Sequence, residues 1–386
     1  MIRSKKMDAV KNQLERARLL ADWYVNNQLD PEPHTAVAGE IISYRAKNDP
    51  KQYLACQWHL AFAVMGMLSA GKVFQDEKYL NAADKMIQYL KTLQVFDPFV
   101  PEFYGAIRES NPQLGTFYVR DSLSAAWAFV EYYEVTGKEE FLQRAIIWAE
   151  WFKKHGMDET GWPLWGYDID AVHKDAQLDM HNDIHGCFHG GSLNFFAKLA
   201  KASGDNSWTG PFFEHIADYF CSTIQQEDGF FRSVEKATGK VPAEDPQKGL
   251  HRGNDDLGTL GLLNAWNIYQ KTEYLEAIRK FLTAVFKKQS TREDHLFEDN
   301  CAAVPVVLNI VEESRGIVDF QVSENACLQA EQALFGRQFP ATESIEYAGA
   351  LDELNNNALC VRSMGYTLIW LLKKYGNDRR FLSSVK

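Results

Sequence analysis

Four stretches with one plan decide the fold: EKYLNAADKMIQYL (77–90), EEFLQRAIIWAEWF (139–152), GPFFEHIADYF (210–220) and TEYLEAIRKFLTAVF (272–286). In each, an aromatic residue is followed by an apolar residue, and small or apolar residues recur one helical turn later. The aromatics Tyr79, Phe141, Phe213 and Tyr274 are 62, 72 and 61 residues apart. Phe381, in DRRFLSSV, starts the same way after 107 residues, which predicts a degenerate copy near 320–335. Such a repeat predicts stacked helix pairs.

A second helix and a short turn precede each repeat. The turns VTGKE (135–139), ASGDN (202–206) and YGNDR (375–379) contain Gly or Asn, which suit helix ends. The other connections are long and rich in Gly, Pro, aromatic and charged residues: 94–115, 156–183, 225–254, 289–300 and 337–355. No clean run of alternating apolar and polar residues indicates strands. The sequence therefore predicts helix, short turn, helix and long loop about six times, in a single domain over 1–386.

The first helix, about 7–27, is expected to pair with the last, about 356–375, and so to close a ring. This plan resembles the (α/α)6 toroid family of carbohydrate-active enzymes, in which an outer ring of helices surrounds an inner ring. The predicted fold class is all-α, an (α/α)6 toroid of six helix hairpins. The resemblance implies a substrate cleft made by the long loops and the N-termini of the inner helices. It is a resemblance of architecture, which α-solenoids and other toroids partly share.

Composition and charge restrict the partners. Hydrophobic residues make up 46% of the 386 residues, and the net charge of −11 argues against nucleic acid, because phosphate binding needs a basic face. The basic start MIRSKKMDAVKNQLERA lacks the apolar run of a secretory signal, and GYTLIWLL (365–372) is too short to span a membrane. Six cysteines without a CxxC pair indicate free thiols in a reducing compartment. A cytoplasmic protein is expected, with a mature secreted form and a homo-oligomer left open.

Polar side chains gather where a long loop leads into a predicted inner helix. These starts are TFYVRDSLSAA (116–126), HNDIHGCFHGG (181–191), HRGNDDLGTLG (251–261), LFEDNCAAV (296–304) and LDELNNNALCVRS (351–363). A purely structural role also explains each of these polar residues taken alone. Asp and Asn cap helices, and a carboxylate in the first turn suits the helix dipole; this applies to Asp121, Asp183, Asp255 and Asn300. They form a site only if the toroid brings the starts together at one cleft.

The start HRGNDDLG (251–258) combines the most candidate catalytic groups, two adjacent aspartates beside a histidine and an arginine. Adjacent Asp255 and Asp256 repel each other, which pushes their pKa values apart and lets one stay protonated as a general acid. Neighbouring Asp pairs also occur in α-1,6-mannanase-like toroid glycosidases, where the pair lies earlier in the chain. Single aspartates on inner helices serve as acid or base in the unsaturated glucuronyl and rhamnogalacturonyl hydrolases, which this chain resembles in length and plan, although no family-defining motif is matched. We predict that the acid and base come from Asp255, Asp256 and Asp183.

Aromatic and cationic residues around these starts suit a sugar. Aromatic rings can stack on sugar rings, although rings in loops also serve as packing against the toroid rim. Arginines at three separate starts can bind a uronate carboxylate or neutralise neighbouring acids. The predicted substrate-binding residues are His185, His189, His251, Arg252, Trp162, Trp165, Tyr167, Glu102, Tyr104, Arg120, Asp121, Asn300 and Arg362. Trp127, Trp148, Trp151, Trp266 and Trp370 lie in helical stripes and are predicted core residues.

No metal and no cofactor are predicted. His181, His185 and His189 are four residues apart, as zinc ligands on a helix can be, but Gly186, Gly190 and Gly191 weaken a helix there and HExxH is absent. We expect these glycines to admit a ligand or a close neighbouring helix. No nucleophile elbow or dinucleotide fingerprint appears.

The predicted function is a glycoside hydrolase that acts on a short oligosaccharide, with a uronate slightly favoured, by carboxylate acid/base catalysis. One alternative is a sugar epimerase of the N-acylglucosamine 2-epimerase type, which has this fold and uses histidines as acid and base. A toroidal polysaccharide lyase comes next. A non-catalytic helical protein that binds carbohydrate is the alternative outside enzymes.

Overall fold

The computed structural model describes residues 2–29, 38–47, 52–157, 161, 163–164, 166–168, 177–178, 183–184, 186–232, 234–235, 237–241, 256–291, 303–352 and 358–385. Within these ranges the helices are α1 Ile2–Asn27, α2 Gln57–Phe74, α3 Glu77–Thr92, α4 Val119–Thr136, α5 Glu139–His155, α6 Gly186–Ser203, α7 Pro211–Tyr219, α8 Asp256–Tyr269, α9 Thr272–Thr291, α10 Ala303–Ser314, α11 Glu324–Phe335 and α12 Val361–Gly376. Of these helices, none is long and apolar enough to cross a bilayer.

The even-numbered helices form a closed inner ring. Each packs on the next, from α2 through α4, α6, α8 and α10 to α12, and α12 packs on α2. The odd-numbered helices lie outside, and α1 packs on α12. The inner helix α2 is buried on every side from Leu60 to Gly71, whereas the outer helix α3 buries one amphipathic face. The (α/α)6 toroid and the closure of the ring by the first and last helices are confirmed.

The aromatic repeat marks the outer helices. Tyr79, Phe141, Phe213 and Tyr274 lie in the first turns of α3, α5, α7 and α9 and are fully buried. The degenerate copy expected near 320–335 is α11. The likeness of DRRFLSSV to a helix start is misleading: Phe381 is buried but lies outside helices, because α12 ends at Gly376 and Asn377 has a left-handed φ of 58°.

The C-terminal segment 377–385 crosses the ends of the inner helices opposite the long loops. Asp378 accepts hydrogen bonds from Ser69 Oγ at 2.8 Å and Lys72 Nζ at 3.1 Å on α2. The backbone of the segment also binds Lys198 on α6, Asn264 on α8, Asn309 on α10 and Lys373 on α12. These bonds seal that end of the ring, so the opening lies at the inner-helix N-termini.

Short antiparallel strands stand at this open end, where the sequence showed no alternation because they are only two to five residues long. They are β1 Ile42–Ala46, β2 Gln52–Leu54, β3 Thr116–Tyr118, β4 Gly166–Asp168, β5 Gln177–Leu178, β6 Asp183–Ile184, β7 Val234–Glu235 and β8 Ala358–Cys360. Their orders are β2-β1-β8, β3-β4-β5 and β6-β7. β3 and β8 run directly into α4 and α12, and thereby fix where these inner helices begin.

A glutamine at the end of four outer helices joins each of them to the next outer helix. The side-chain amide donates to the carbonyl of a loop glycine and to a backbone carbonyl of the neighbouring helix, an arrangement we name the Gln clamp. The four sets are Gln28 with Gly39 and Ala82, Gln94 with Gly105 and Arg144, Gln225 with Gly229 and Ala277, and Gln338 with Gly349 and Arg16. Each glycine has a φ between 90° and 98°, which favours glycine because it has no Cβ.

We expect Gln94→Ala to lower the free energy of unfolding by about 2–3 kcal/mol, because two carbonyls lose their donors inside the structure. The bonds concerned are 3.1 Å to Gly105 O and 3.0 Å to Arg144 O. Urea unfolding measures the change. Exposed Gln143 supplies the matched control, and Gln143→Ala should change stability by less than about 0.5 kcal/mol. Equal values for both variants would contradict the clamp.

A fully buried carboxyl makes stability depend on pH. Burial raises the pKa of Glu40 to about 8. The folded protein therefore holds a proton that the unfolded chain, with an ordinary value of 4.5, releases earlier. The contribution of Glu40 to stability is thus largest below pH 4.5, falls as the pH rises and is lost above pH 8.

We expect Glu40→Gln to be more stable than the wild type by about 5 kcal/mol at pH 9 and nearly equal to it at pH 4.5. Urea unfolding across this range measures the difference. Glu227→Gln, at an exposed position, serves as the control and should follow the wild type throughout. A difference between Glu40→Gln and wild type that does not change with pH would refute this account.

Candidate active site

The described part of the site lies where α2 and α4 begin. Gln57 and Trp58 open α2, and Arg120 and Asp121 stand in the first turn of α4. The residue that caps α4 is Tyr118, so Asp121 is not the N-cap, although its charge suits the helix dipole. The loop between α3 and α4 brings Glu109 to these two helix starts, because Gln57 N donates to Glu109 O at 3.0 Å.

Arg120 and Asp121 form a tight ion pair. Arg120 Nε donates to Asp121 Oδ1 at 2.6 Å and Nη2 donates to Oδ2 at 3.2 Å. The Asp121 side chain is 6% exposed, and the guanidinium lies 5.7 Å from the centre of the Trp58 ring. Arg120 therefore neutralises the neighbouring acid, one of the two roles expected for it, and its fork is already occupied.

Glu109 and Asp121 form a pair of carboxyl groups joined by a hydrogen bond. Burial raises the pKa of Glu109 well above its usual range, and the charge of Asp121 raises it further, against weaker opposing effects of Gln57 and Arg120. Gln57 Nε2 donates to Glu109 Oε2 at 3.1 Å and fixes the carboxyl. The raised pKa favours a proton on the Glu109 carboxyl, which is then the donor in its hydrogen bond to Asp121.

A central pocket opens beside Asp121. It is lined by Trp58, Arg120, Asp121, Leu123, Ser124, Trp127, Gly191 and Leu257. These residues come from α2, α4, α6 and α8, so the starts of four inner helices converge on one space. Trp58 Nε1 donates to Tyr366 OH of α12 at 2.9 Å, which ties a fifth inner helix to the wall.

Trp127 connects the pocket with the sealed end of the ring. Its indole N–H donates to Glu131 Oε1 at 2.9 Å, and Lys198 binds Glu131 at 3.3 Å. Lys198 also donates to the carbonyl of Arg380 in the C-terminal segment. Trp127, predicted as a core residue, is indeed only 2% exposed, but it also forms part of the pocket wall.

The glycines of HNDIHGCFHGG allow α6 to touch its neighbours. A Cβ at Gly190 would lie 2.0 Å from the backbone nitrogen of Gly258 on α8. A Cβ at Gly191 would lie 2.7 Å from Leu123 of α4. Asn194 Nδ2 donates to Leu257 O at 2.8 Å and holds the two helices together. A close neighbouring helix, one of the two roles expected for these glycines, is therefore observed at Gly190.

Three other predicted binding residues lie toward the outer rim. Tyr167 donates its hydroxyl to the carbonyl of His155 and packs edge-on against Phe103, so its ring is engaged in rim packing. Tyr104 is 44% exposed, and Glu102 is exposed while its carbonyl accepts a hydrogen bond from Trp151 of α5.

The remaining predicted site residues are described in part or not at all. For four of them the structure describes only the backbone: Asp183 in β6, His189 in the first turn of α6, Asp256 at the first residue of α8 and Arg362 in the first turn of α12. The others lie outside the described residues: His185, His251, Arg252, Asp255, Trp162, Trp165 and Asn300. Their roles stay predictions.

The part of the chain that the structure describes contains neither a metal-binding cluster nor an activated thiol at the pocket. No three of its His, Cys, Asp and Glu side chains are placed to hold a metal ion. Burial, followed by the charges of Glu109 and Asp121, raises the pKa of the Cys56 thiol well above its usual range. Cys56 is therefore not a thiolate nucleophile.

Glu109, Gln57 and Trp58 are not among the site residues predicted from the sequence. The sixth inner-helix start, ACQWHL (55–60), was required by the repeat, and its Gln and Trp were the available signal. Glu109 lies in RESN (108–111), which carries no pattern, and its proximity to Asp121 arises only from the loop pairing.

Solved structures with this fold cover almost the whole chain. The family 76 glycoside hydrolase, a mannosidase, of Bacteroides thetaiotaomicron has a TM-score of 0.68 and 13% identity over 95% of this chain and 99% of its own. Cellobiose 2-epimerase of Bacillus thermoamylovorans has a TM-score of 0.68 and 11% identity over 96% and 100%. The α-1,6-mannanase of Salegentibacter sp. has a TM-score of 0.63 and 13% identity over 94% and 99%.

No family model matches the sequence, and no curated protein is similar to it. At 11–13% identity the structural similarity establishes the fold alone. The chain has the (α/α)6 toroid that glycoside hydrolases and sugar epimerases share.

Proposed function

We propose that the protein is a carbohydrate-active enzyme that hydrolyses a glycosidic bond. The observation that carries this proposal is the hydrogen-bonded carboxyl pair Glu109 and Asp121 on the wall of a pocket lined by Trp58 and Trp127. A carboxylic acid that stays protonated at neutral pH can protonate the oxygen of a leaving group. The partly exposed indole ring of Trp58 offers a flat apolar surface to a sugar ring.

The pair acts as one catalytic group. Glycosidases place their two carboxyl groups about 5–5.5 Å or about 6.5–9.5 Å apart, on either side of the scissile bond. Glu109 and Asp121 are in hydrogen-bond contact, so they lie on the same side of a substrate. In the proposal Asp121 faces the substrate, and Glu109 supplies and holds its proton.

The second carboxylate then comes from another helix start, and Asp256 is the best candidate. It opens α8, and the next residue, Leu257, lines the same pocket as Asp121. Asp255 and Asp256 are the one consecutive pair of aspartates in the chain. The Salegentibacter mannanase was studied as an inactive variant with two consecutive aspartates replaced by asparagine, in complex with α-1,6-mannotriose. That variant supports, by analogy, a catalytic role for a pair of this kind.

The hypothesis of a uronate in the substrate is weakened by the contacts of Arg120. Arg120 already makes two hydrogen bonds to Asp121, so it has little capacity left for a second carboxylate. Arg252 and Arg362 keep the uronate hypothesis open as a prediction. We therefore propose a neutral glycan first.

An epimerase is the second candidate. The fold similarity to cellobiose 2-epimerase is as high as that to the mannosidase, and three histidines stand at 181–189 ahead of and within α6. Histidines are suited to remove and return a proton at neutral pH.

Incubation with α-1,6-mannooligosaccharides, cellobiose and unsaturated uronyl disaccharides separates these functions. New reducing ends without a 4,5-double bond indicate hydrolysis, ultraviolet absorbance of such a bond indicates a lyase, and an unchanged mass with a new epimer indicates an epimerase. Binding without any product would contradict an enzyme.

Where hydrolysis is found, we expect Asp256→Asn to lower kcat by about 10²–10⁴-fold, as loss of an acid or base does. Initial rates on the best substrate measure the loss. The exposed residue Asp319, in the connection after α10, supplies the control, because it does not line the central pocket. Full activity of both Asp255→Asn and Asp256→Asn would exclude this start as the source of the second carboxylate.

A further inference from the structure

Three aromatic rings are exposed on the loop between α3 and α4. Phe99 is 91% exposed, Tyr104 44% and Phe96 36%, and the rings of Phe96 and Tyr104 meet edge-on at 5.4 Å. We call these three residues the rim aromatics. Two of the rings are in contact and the third lies on the same loop, and exposed apolar side chains that lie together are a feature of binding surfaces.

The fold of the loop does not require these rings. Three Gln-clamp loops have the same length, 28–39, 94–105 and 338–349. At the positions of the rim aromatics the other two loops have Asp30, Pro33 and Ala38, and Pro340, Glu343 and Ala348. The ring that the framework does use lies two residues before the clamp glycine and is buried: Phe103 is 6% exposed and Tyr347 is 7% exposed. The described loop 338–349 thus folds without rings at these positions, so the rim aromatics are not needed for this loop framework.

The rim aromatics are joined by packing to the central pocket. Phe103, beside Tyr104, stacks on Phe117 with ring centres 5.3 Å apart and planes 7° apart. Phe117 lies in β3, four residues before Asp121, and the same loop continues to Glu109. The rim aromatics and Asp121 belong to one continuous segment of the chain, 96–121. Both lie at the open end of the toroid.

The polar groups around the rings suit hydroxyl groups. The exposed acids Asp97 and Glu102 lie on this loop, whereas Arg144, 4.9 Å from the centre of the Phe96 ring, is already bound to Glu140 and Gln94. Asp97 Oδ1 accepts a hydrogen bond from Phe99 N at 2.9 Å, which positions the most exposed ring. Separate rings between hydrogen-bonding groups match a glycan better than a continuous apolar protein surface.

We infer that the rim aromatics form a second carbohydrate-binding site, which holds a glycan chain outside the central pocket. This inference rests on the proposed function and deepens it, because the substrate is then a polymer that spans the rim and the pocket. The rings would hold successive sugar units by their apolar faces while the polar neighbours bind hydroxyl groups.

Affinity electrophoresis in gels that contain soluble α-1,6-mannan or hydroxyethylcellulose tests the inference. The Asp121→Asn protein is used, so that the gel polysaccharide is not degraded. We expect one of the polymers to retard this protein, and Phe99→Ala and Phe96→Ala to weaken the affinity about tenfold each. Ile345→Ala, which removes an apolar side chain that is 63% exposed on the corresponding loop, is the matched control and should not change it.

Kinetics separate this inference from the proposed function. In the active protein, Phe99→Ala should lower the ratio of kcat/KM on the polymer to kcat/KM on a disaccharide about tenfold. Retardation that depends on Phe99 in a protein without hydrolytic activity would keep the binding site and refute the hydrolase. Hydrolysis with an unchanged ratio, or no retardation by either polymer, would overturn the binding site.

Discussion

If the proposed hydrolysis is correct, we expect Asp121→Asn to lower kcat about 10³-fold, the loss that follows removal of a proton-transferring carboxyl. Asparagine can neither accept the proton of Glu109 nor pass it to a leaving group. It also leaves the guanidinium of Arg120 without the carboxylate that binds it at 2.6 Å. The variant should fold, because Asp121 makes no N-cap bond for α4. Steady-state rates and circular dichroism together measure the effect.

The pH profile identifies the role of Glu109. Because its pKa is raised, activity that needs its proton is present at lower pH and falls as the pH rises through that pKa. Glu109→Gln leaves the Asp121 carboxyl without an acidic neighbour. The pH at which kcat declines on the alkaline side of the profile should therefore be lower in this variant. An alkaline limb at the same pH in wild type and Glu109→Gln would show that the pair does not set it. Activity of Asp121→Asn equal to wild type would remove Asp121 from the mechanism.

Gly190→Ala lowers the free energy of unfolding by at least about 3 kcal/mol, because the added methyl group meets backbone rather than a flexible side chain. Its nearest atoms are Gly258 N at 2.0 Å and Gly258 Cα at 2.2 Å, so α6 and α8 must move apart. That movement also displaces Gly191 and Leu257, which line the central pocket. Thermal and urea unfolding measure the loss, and activity should fall with it.

Gly336→Ala is the matched control for this substitution. Gly336 has a φ of −63°, and a Cβ there would have its nearest neighbour at 3.4 Å, an ordinary contact. Alanine at such a position is neutral or stabilises by a few tenths of a kcal/mol to about 1 kcal/mol. If Gly190→Ala and Gly336→Ala unfold at the same temperature, the close packing of α6 on α8 is not as described.

The sequence by itself determined the repeat and therefore the fold. Aromatics such as Tyr79 and Phe141 recur because each outer helix inserts a ring into the layer between the two helix rings, and that periodic burial is visible in one dimension. Turns also follow from local chemistry: Gly137, at the end of α4, has the left-handed φ of 69° that the motif VTGKE predicts. The polar first turn of α4, with Arg120 and Asp121, was also visible in the sequence, because a polar cluster before an apolar helical run is a local pattern.

Only the tertiary structure decided which polar groups meet. Glu109 has an ordinary loop context, and its raised pKa comes from burial and from Asp121, twelve positions away, which the pairing of the loop with α2 brings into contact. Trp127 has the periodicity of a core residue, yet the packing of four helix starts leaves one side of it on the pocket. Distances between residues far apart in sequence depend on how the ring closes, and local periodicity contains no information about them. Exposure is decided in the same way: Phe99 and Phe103 are the same residue type on one loop, and only packing buries the second and leaves the first on the rim.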